Sequence, residues 1–268
     1  MSHLERHLYC DTIINYTKDV IDYVPVDTTI YDARLAGDLS VDQNGFELLQ
    51  HRSAVQNWGD LDELERIYYD EITVLAKSLT GCDAVLFYPV LVRSRSPEKS
   101  EDHHEPLAFA HSDYTEVYWD NIANPKSAYH TIIGPSMERA GVTREDIVDA
   151  KRVVTLQMWR NTGPSDADVP LAFCDSSGVG RSELIELSTP EGYEADFNYF
   201  AVSPDAADHC DWYTFPQMKV DELALFRAYD SELVANKEIF WAPHTAFTDP
   251  NGGSPRQSVE MRAICLFF

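Results

Sequence analysis

Three side chains of the 268-residue sequence have types and spacing that suit a metal. Leu107-Ala-Phe-Ala-His111-Ser112-Asp113 is an apolar run that ends in His-x-Asp. In a strand, residues i and i+2 point to the same face, so His111 and Asp113 would project together. One brings an imidazole nitrogen and the other a carboxylate oxygen. A second imidazole on the same face of an octahedral ion would complete the two-histidine, one-carboxylate facial set of ferrous oxygenases, which leaves coordination positions open. Of nine histidines, His244 stands apart, in the aromatic-rich stretch Phe240-Trp-Ala-Pro-His244-Thr-Ala-Phe247. Downstream lies Pro255-Arg256-Gln257-Ser258. If a strand begins at or just before Arg256, Arg256 and Ser258 share a face. A guanidinium beside a hydroxyl can grip a carboxylate through charge-assisted bonds. The far carboxylate of 2-oxoglutarate needs such a grip while its keto-acid end chelates iron. Each motif alone is weak; their order along the chain carries the weight.

The elements that must position these residues are mostly short strands. Arg152–Trp159, Pro170–Cys174, Phe197–Val202, Trp212–Met218, Glu222–Tyr229 and Ser258–Phe267 are rich in aromatic and β-branched residues and are separated by Gly, Pro, Ser and Asn turns. Such punctuation predicts a sandwich or barrel. Leu61, Leu64, Tyr68, Ile72, Leu75 and Leu79 step by three or four, and Gly81 supplies a stop, so residues 60–80 are expected to be helical. Residues 126–150 read as helix too, with Thr143 and Asp146 as an N-terminal cap. Residues 1–50 read as an arm of short strands and turns, Ala84–Val92 as a strand, and the charged stretch Ser94–Glu105 as an exposed loop and candidate lid. Helices first and strands later predict a mainly β fold, a barrel core with helices packed outside it. Residues 1–268 form a single domain in this reading: 1–83 is an N-terminal arm and helix packing on the barrel, and 84–268 is the core with inserted helices.

Several segments, in sequence, resemble the AsaB-like hydroxylase/desaturase family, whose members include gibberellin-desaturase-like and cephamycin-pathway-like proteins. They are Val154-Thr-Leu-Gln-Met-Trp159-Arg160, Pro170-Leu-Ala-Phe-Cys174-Asp175, Trp212-Tyr-Thr-Phe-Pro216, Asp221-Glu-Leu-Ala-Leu-Phe226, Pro243-His244-Thr-Ala-Phe247 and Pro255-Arg256-Gln-Ser258-Val-Glu260-Met-Arg262. The resemblance covers roughly residues 84–268. It implies a double-stranded β-helix (jelly-roll, cupin-like) core and a non-haem Fe(II)/2-oxoglutarate-dependent oxygenase that consumes O2, with iron on His111, Asp113 and His244 and the co-substrate on Arg256 and Ser258. Departures at Asn161 and in Gly163–Asp168 point to an altered pocket. Around this site, Tyr114, Thr115, Trp159 and Arg160 are candidate substrate contacts. Trp159 and Arg160 alternate faces, so only one should point inward. Arg160 could hold an acidic group or pair with Asp175. Glu260 is expected to orient Arg256 or Arg262, and Trp212, Tyr213 and Phe215 to be core. The expected reaction is hydroxylation, desaturation or cyclisation of a small molecule. A cupin-like metal oxygenase without 2-oxoglutarate and a non-catalytic accessory subunit are the alternatives.

Composition narrows the partners. Forty-five acidic against 21 basic side chains give a formal charge of −24, which disfavours nucleic acid and anionic membrane surfaces. Five cysteines, an odd number with no CxxC pair, suit a reducing compartment. The polar N-terminus lacks an apolar signal core, and no apolar run has membrane-spanning length, so the expected location is cytoplasmic. The oligomeric state stays open, a homodimer included.

Overall fold

A computed structural model describes residues 4–19, 22–94, 106–189 and 197–268. In chain order the strands are β1 (Leu8–Thr17), β2 (Tyr23–Asp32), β3 (Phe46–Gln50), β4 (Ala84–Phe87), β5 (Leu91–Ser94), β6 (His111–Ser112), β7 (Arg152–Asn161), β8 (Leu171–Cys174), β9 (Leu184–Ser188), β10 (Asn198–Val202), β11 (Trp212–Thr214), β12 (Glu222–Asp230), β13 (His244–Ala246) and β14 (Gln257–Phe267). They form two sheets. One has eight strands in the order β1-β2-β11-β8-β13-β6-β10-β9, and the other has six, ordered β3-β12-β7-β14-β4 with β5 on β14. The fold is mainly β with flanking helices, as the strand pattern led one to expect, and it is the double-stranded β-helix that the family resemblance implied.

The smaller sheet shows how period-2 alternation builds two cores. Directly opposed residues of an antiparallel pair share a face. Across β7 and β14, Glu260 opposes Trp159, Arg262 opposes Gln157 and Ser258 opposes Asn161. These polar residues face the other sheet. The alternate set, Leu156, Met158, Val259, Met261, Ala263 and Cys265, packs outward against Leu64, Tyr68, Ile72 and Ala76. Those four come from the helical stretch Leu61–Thr80, whose middle, Leu64–Tyr68, is wound as a π-helix. Burying each large apolar side chain there contributes about 1.5–3 kcal/mol. Gly81 ends the stretch with φ 72°, the left-handed conformation in which a Cβ is costly. Thr143 and Asp146 form the expected reciprocal cap, with Thr143 N to Asp146 Oδ2 at 2.7 Å and Asp146 N to Thr143 Oγ1 at 3.2 Å.

Four readings of the sequence need correction. The first 50 residues are not an arm of short strands: β1 and β2 are ten residues each, and β2 adds in parallel to β11. Ala84–Val92 is broken at Tyr88-Pro89-Val90 into β4 and β5, both on β14; Pro89 has no N–H to give a ladder. The run before His111 is not a regular strand. Its backbone bonds go to several partners, Ala110 N to Asn15 O (2.8 Å) and Ala246 N to Leu107 O (2.9 Å) among them. Arg160, offered as a substrate contact, lies on the outward face of β7. Its guanidinium donates to His51 O (2.8 Å), His51 Nδ1 (2.6 Å), the Val220 carbonyl and Tyr68 Oη (3.3 Å), and it sits over the Trp58 ring at 5.1 Å. It does not pair with Asp175, whose carboxylate accepts from Ser177 N in the next turn. The charged loop read as a lid falls almost wholly outside the described residues.

Two outcomes follow for this buried arginine. Arg160→Ala removes the guanidinium that donates to the His51 and Val220 carbonyls and should cost about 2–4 kcal/mol in denaturant unfolding, with no change in ligand binding between the sheets. His51 Nδ1 must be unprotonated to accept from Arg160, and burial, then the Arg160 charge, hold its pKa below the ordinary value. The folded state thus takes up a proton less readily than the unfolded chain. This contribution should be complete above about pH 6.5 and lost as pH falls below it, and His51→Asn should flatten that part of the stability–pH curve.

Candidate metal centre

His111 and His244 come from distant parts of the chain but meet as directly opposed residues of β6 and β13. Their ring centroids lie 4.5 Å apart. Asp113 stands at the bend just after β6, its Oδ1 3.6 Å from His111 Nε2. One ligand atom from each of His111, Asp113 and His244 can be chosen so that all lie within 4.8 Å of one another. His111 and His244 are buried and Asp113 nearly so.

The local backbone fixes which imidazole nitrogen is available. His111 Nδ1 lies 2.7 Å from Phe109 O, and His244 Nδ1 lies 3.0 Å from Ala242 O. A carbonyl can only accept, so in both rings Nδ1 carries the proton and donates it. Nε2 is left with its lone pair, the arrangement that orients metal-binding histidines. Both contacts run to the residue two positions earlier. Burial, reinforced by the neighbouring His244, pushes the pKa of His111 down to about 4, so this imidazole is neutral at physiological pH. Burial alone would raise Asp113, but Arg262 foremost, and then the two histidines, hold its carboxyl well below the usual carboxylate range. Two neutral imidazole nitrogens and one carboxylate form a facial-triad-like group, and they fit a ferrous ion with vacant positions.

Arg262 supplies a charge that the sequence left without a role. Its Nε lies 3.3 Å from Asp113 Oδ2, and its Nη2 lies 2.5 Å from Glu260 Oε1. Glu260 also receives Gln157 Nε2 at 3.0 Å and lies 3.5 Å from Arg93 Nε. Of the two arginines, Glu260 therefore orients Arg262. Arg256 and Ser258 share a face as expected, with Arg256 Nε donating to Ser258 Oγ at 2.9 Å. Arg256 also donates to Val169 O at 3.1 Å and covers the Trp159 ring at 5.1 Å. Trp159 is thus the inward member of the Trp159–Arg160 pair. It does not line the cavity at the triad; it borders a second one of about 320 Å3 with Asn161, Thr214 and Met218.

The triad cavity measures about 370 Å3 and is walled by His111, Asp113 and Arg262 together with rings. Tyr114 is among them, as expected, whereas Thr115 is buried and does not line it. The sequence reading missed Tyr88, Phe109, Tyr129 and Tyr199. Phe109 was within reach: it precedes His111 by two residues, and its ring lies 4.7 Å from the imidazole. The others come from segments whose spacing to His111 carries no local signal. Trp212, Tyr213 and Phe215 are core.

Comparison with known proteins gives the family and the fold. A family model described as "Oxidoreductase/YMDC permease-like domain" matches residues 6–266. No helix among the described residues is long and apolar enough to cross a membrane. The chain is 26% identical over 240 residues to the alpha-ketoglutarate-dependent dioxygenase phiK of a fungal species (strain ATCC 74256), covering 86% of this chain and 80% of that one. It is 28% identical over 254 residues to the hydroxylase/desaturase efuI of Hormonema carpetanum, covering 87% and 79%. In fold it is similar to the iron and alpha-ketoglutarate-dependent endoperoxidase NvfI, with a TM-score of 0.77 at 19% identity over 97% of this chain and 98% of that one. The chain belongs to the oxidoreductase/YMDC permease-like family, and over most of its length it is homologous to Fe(II)/2-oxoglutarate-dependent dioxygenases of the hydroxylase/desaturase kind.

Proposed function

We propose that the whole chain works as one oxygenase unit that hydroxylates, desaturates or cyclises a small organic molecule, with secondary metabolites as the substrate class. His111 Nε2, His244 Nε2 and the Asp113 carboxylate hold the ferrous ion. Arg256 and Ser258 hold the far carboxylate of 2-oxoglutarate, and the substrate lies among the rings of the triad cavity. The observation that carries this reading is the convergence of two Nε2-presenting imidazoles and one carboxylate beside a ring-walled cavity.

The chain's own residues divide the labour. When bound, iron and 2-oxoglutarate supply the oxidising power for breaking an unactivated C–H bond, chemistry that side chains lack. Phe109 O and Ala242 O keep both imidazoles in the ligating tautomer. Arg262 keeps Asp113 ionised and turned toward the histidines. Ser258 and Arg262 stand on one face of β14, about 13 Å apart along the strand. One end of that face therefore serves the co-substrate's far carboxylate and the other serves the metal ligand. Tyr88 and Tyr114, both kept as neutral phenols by burial, exclude water from the reacting region.

Anaerobic protein with ferrous ion and 2-oxoglutarate should develop a weak visible charge-transfer band, and His111→Ala or His244→Ala should abolish it. A band unchanged in both variants would rule out this centre. Arg256→Ala should weaken 2-oxoglutarate binding by about 10- to 100-fold, the cost of charge-assisted bonds, while ferrous affinity stays the same. Substrate oxidation without succinate release would instead favour an oxygenase that does not use 2-oxoglutarate, and succinate release that ignores Arg256→Ala would place the co-substrate's far carboxylate elsewhere.

A further inference from the structure

We infer that Arg262 is also the substrate anchor, and that the substrate is an apolar molecule presenting a neutral carbonyl oxygen to its guanidinium. The inference rests on the reading of the triad cavity as the substrate site. Arg262 lines that cavity and is the arginine in a wall otherwise made mostly of rings. Two of its nitrogens are taken, Nε by Asp113 and Nη2 by Glu260. Nη1 makes no hydrogen bond with a described residue, and the side chain keeps 17% of its surface open. A guanidinium presents five donors in a fixed plane, so an edge left over in an aromatic cavity calls for an acceptor. The Tyr88 hydroxyl in the same wall is buried without a hydrogen bond, the Tyr118 hydroxyl standing nearby without closing one. It is a second polar group on which the fold closes no hydrogen bond of good geometry.

Charge decides which acceptor. Arg262 and Arg93 are balanced by Asp113 and Glu260, all four being largely buried. Bound ferrous ion and the 2-oxoglutarate dianion also cancel, and Arg256 stands with Ser258 at the other end of the β14 face. Arg262 already faces two carboxylates, Asp113 and Glu260, so a substrate carboxylate at its remaining edge would be buried against like charge. A ketone, ester, lactone or amide oxygen takes the same hydrogen bond without that cost. Anchoring there would hold the carbons flanking the carbonyl close to the metal carboxylate, which makes Arg262 a specificity-determining residue.

A matched set of tricyclic probes tests this: fluorene, 9-fluorenone and fluorene-9-carboxylate, bound to the full chain loaded anaerobically with ferrous ion and 2-oxoglutarate. Fluorenone should bind about 10- to 100-fold more tightly than fluorene and more tightly than the carboxylate. The infrared carbonyl stretch of bound fluorenone should move to lower frequency than in an aprotic solvent. In Arg262→Gln the preference should shrink at least several-fold and the band should move back. The wild-type infrared shift stands independently if that variant folds poorly. Equal affinity for fluorene and fluorenone, an unshifted carbonyl band, or tighter binding of the carboxylate would each overturn the inference. The same probes are to be repeated on metal-free protein. A carbonyl preference there without a charge-transfer band on iron addition would sink the metal reading alone, and a band without the preference would sink only this inference.

Discussion

The site depends on one backbone pairing. His111 and His244 are 133 positions apart in the chain, yet β6 and β13 set them directly opposite one another. Opposed residues of an antiparallel pair have their side chains on the same face, so a single register fixes the distance between the two imidazoles. A slip of one residue would turn one ring to the other face. The neighbours guard against this slip. β13 is also held by β8, with His244 opposite Phe173, and β6 by β10, with His111 opposite Ala201. The short strands that carry the ligands are thus clamped in the middle of the larger sheet.

The smaller sheet has a different task, that of supplying charge. Its inward face carries Ser258, Glu260 and Arg262 on β14 with Gln157 on β7, so one strand spans the proposed co-substrate grip and the group that holds Asp113. Its outward face is apolar apart from Arg160 and is covered by the helical stretch Leu61–Thr80. That apolar packing, which contacts neither metal nor substrate, keeps the polar face in register. Buried ion pairs of this kind add little net stability because desolvation offsets attraction. Their value here is positional: they hold a carboxylate ionised and correctly turned before any ligand arrives.

Much of this was legible in the sequence, for local reasons. His-x-Asp, Arg-x-Ser and the alternation of Trp159 and Arg160 are short-range patterns that strand geometry converts directly into shared or opposite faces. The helical repeat from Leu61 to Leu79 and the Thr143 cap are local in the same sense. What escaped depends on contacts between remote segments. The outward direction of Arg160 was foreseeable as one of two options, but its partners, His51 and Val220, lie 109 and 60 positions away. Arg262 could be placed beside Glu260 on one face, yet nothing local shows that Asp113 lies at the other side of its guanidinium. The ten-residue β1 and β2 were hidden because their apolar residues alternate weakly and their support comes from pairing with each other and, through β2, with the remote β11.

The most direct test is anomalous diffraction from crystals grown anaerobically with ferrous ion. The account predicts one strong iron peak within bonding distance of His111 Nε2, His244 Nε2 and the Asp113 carboxylate, with both Nδ1 atoms still facing their backbone carbonyls. Iron bound elsewhere, or ligated through either Nδ1, would contradict it.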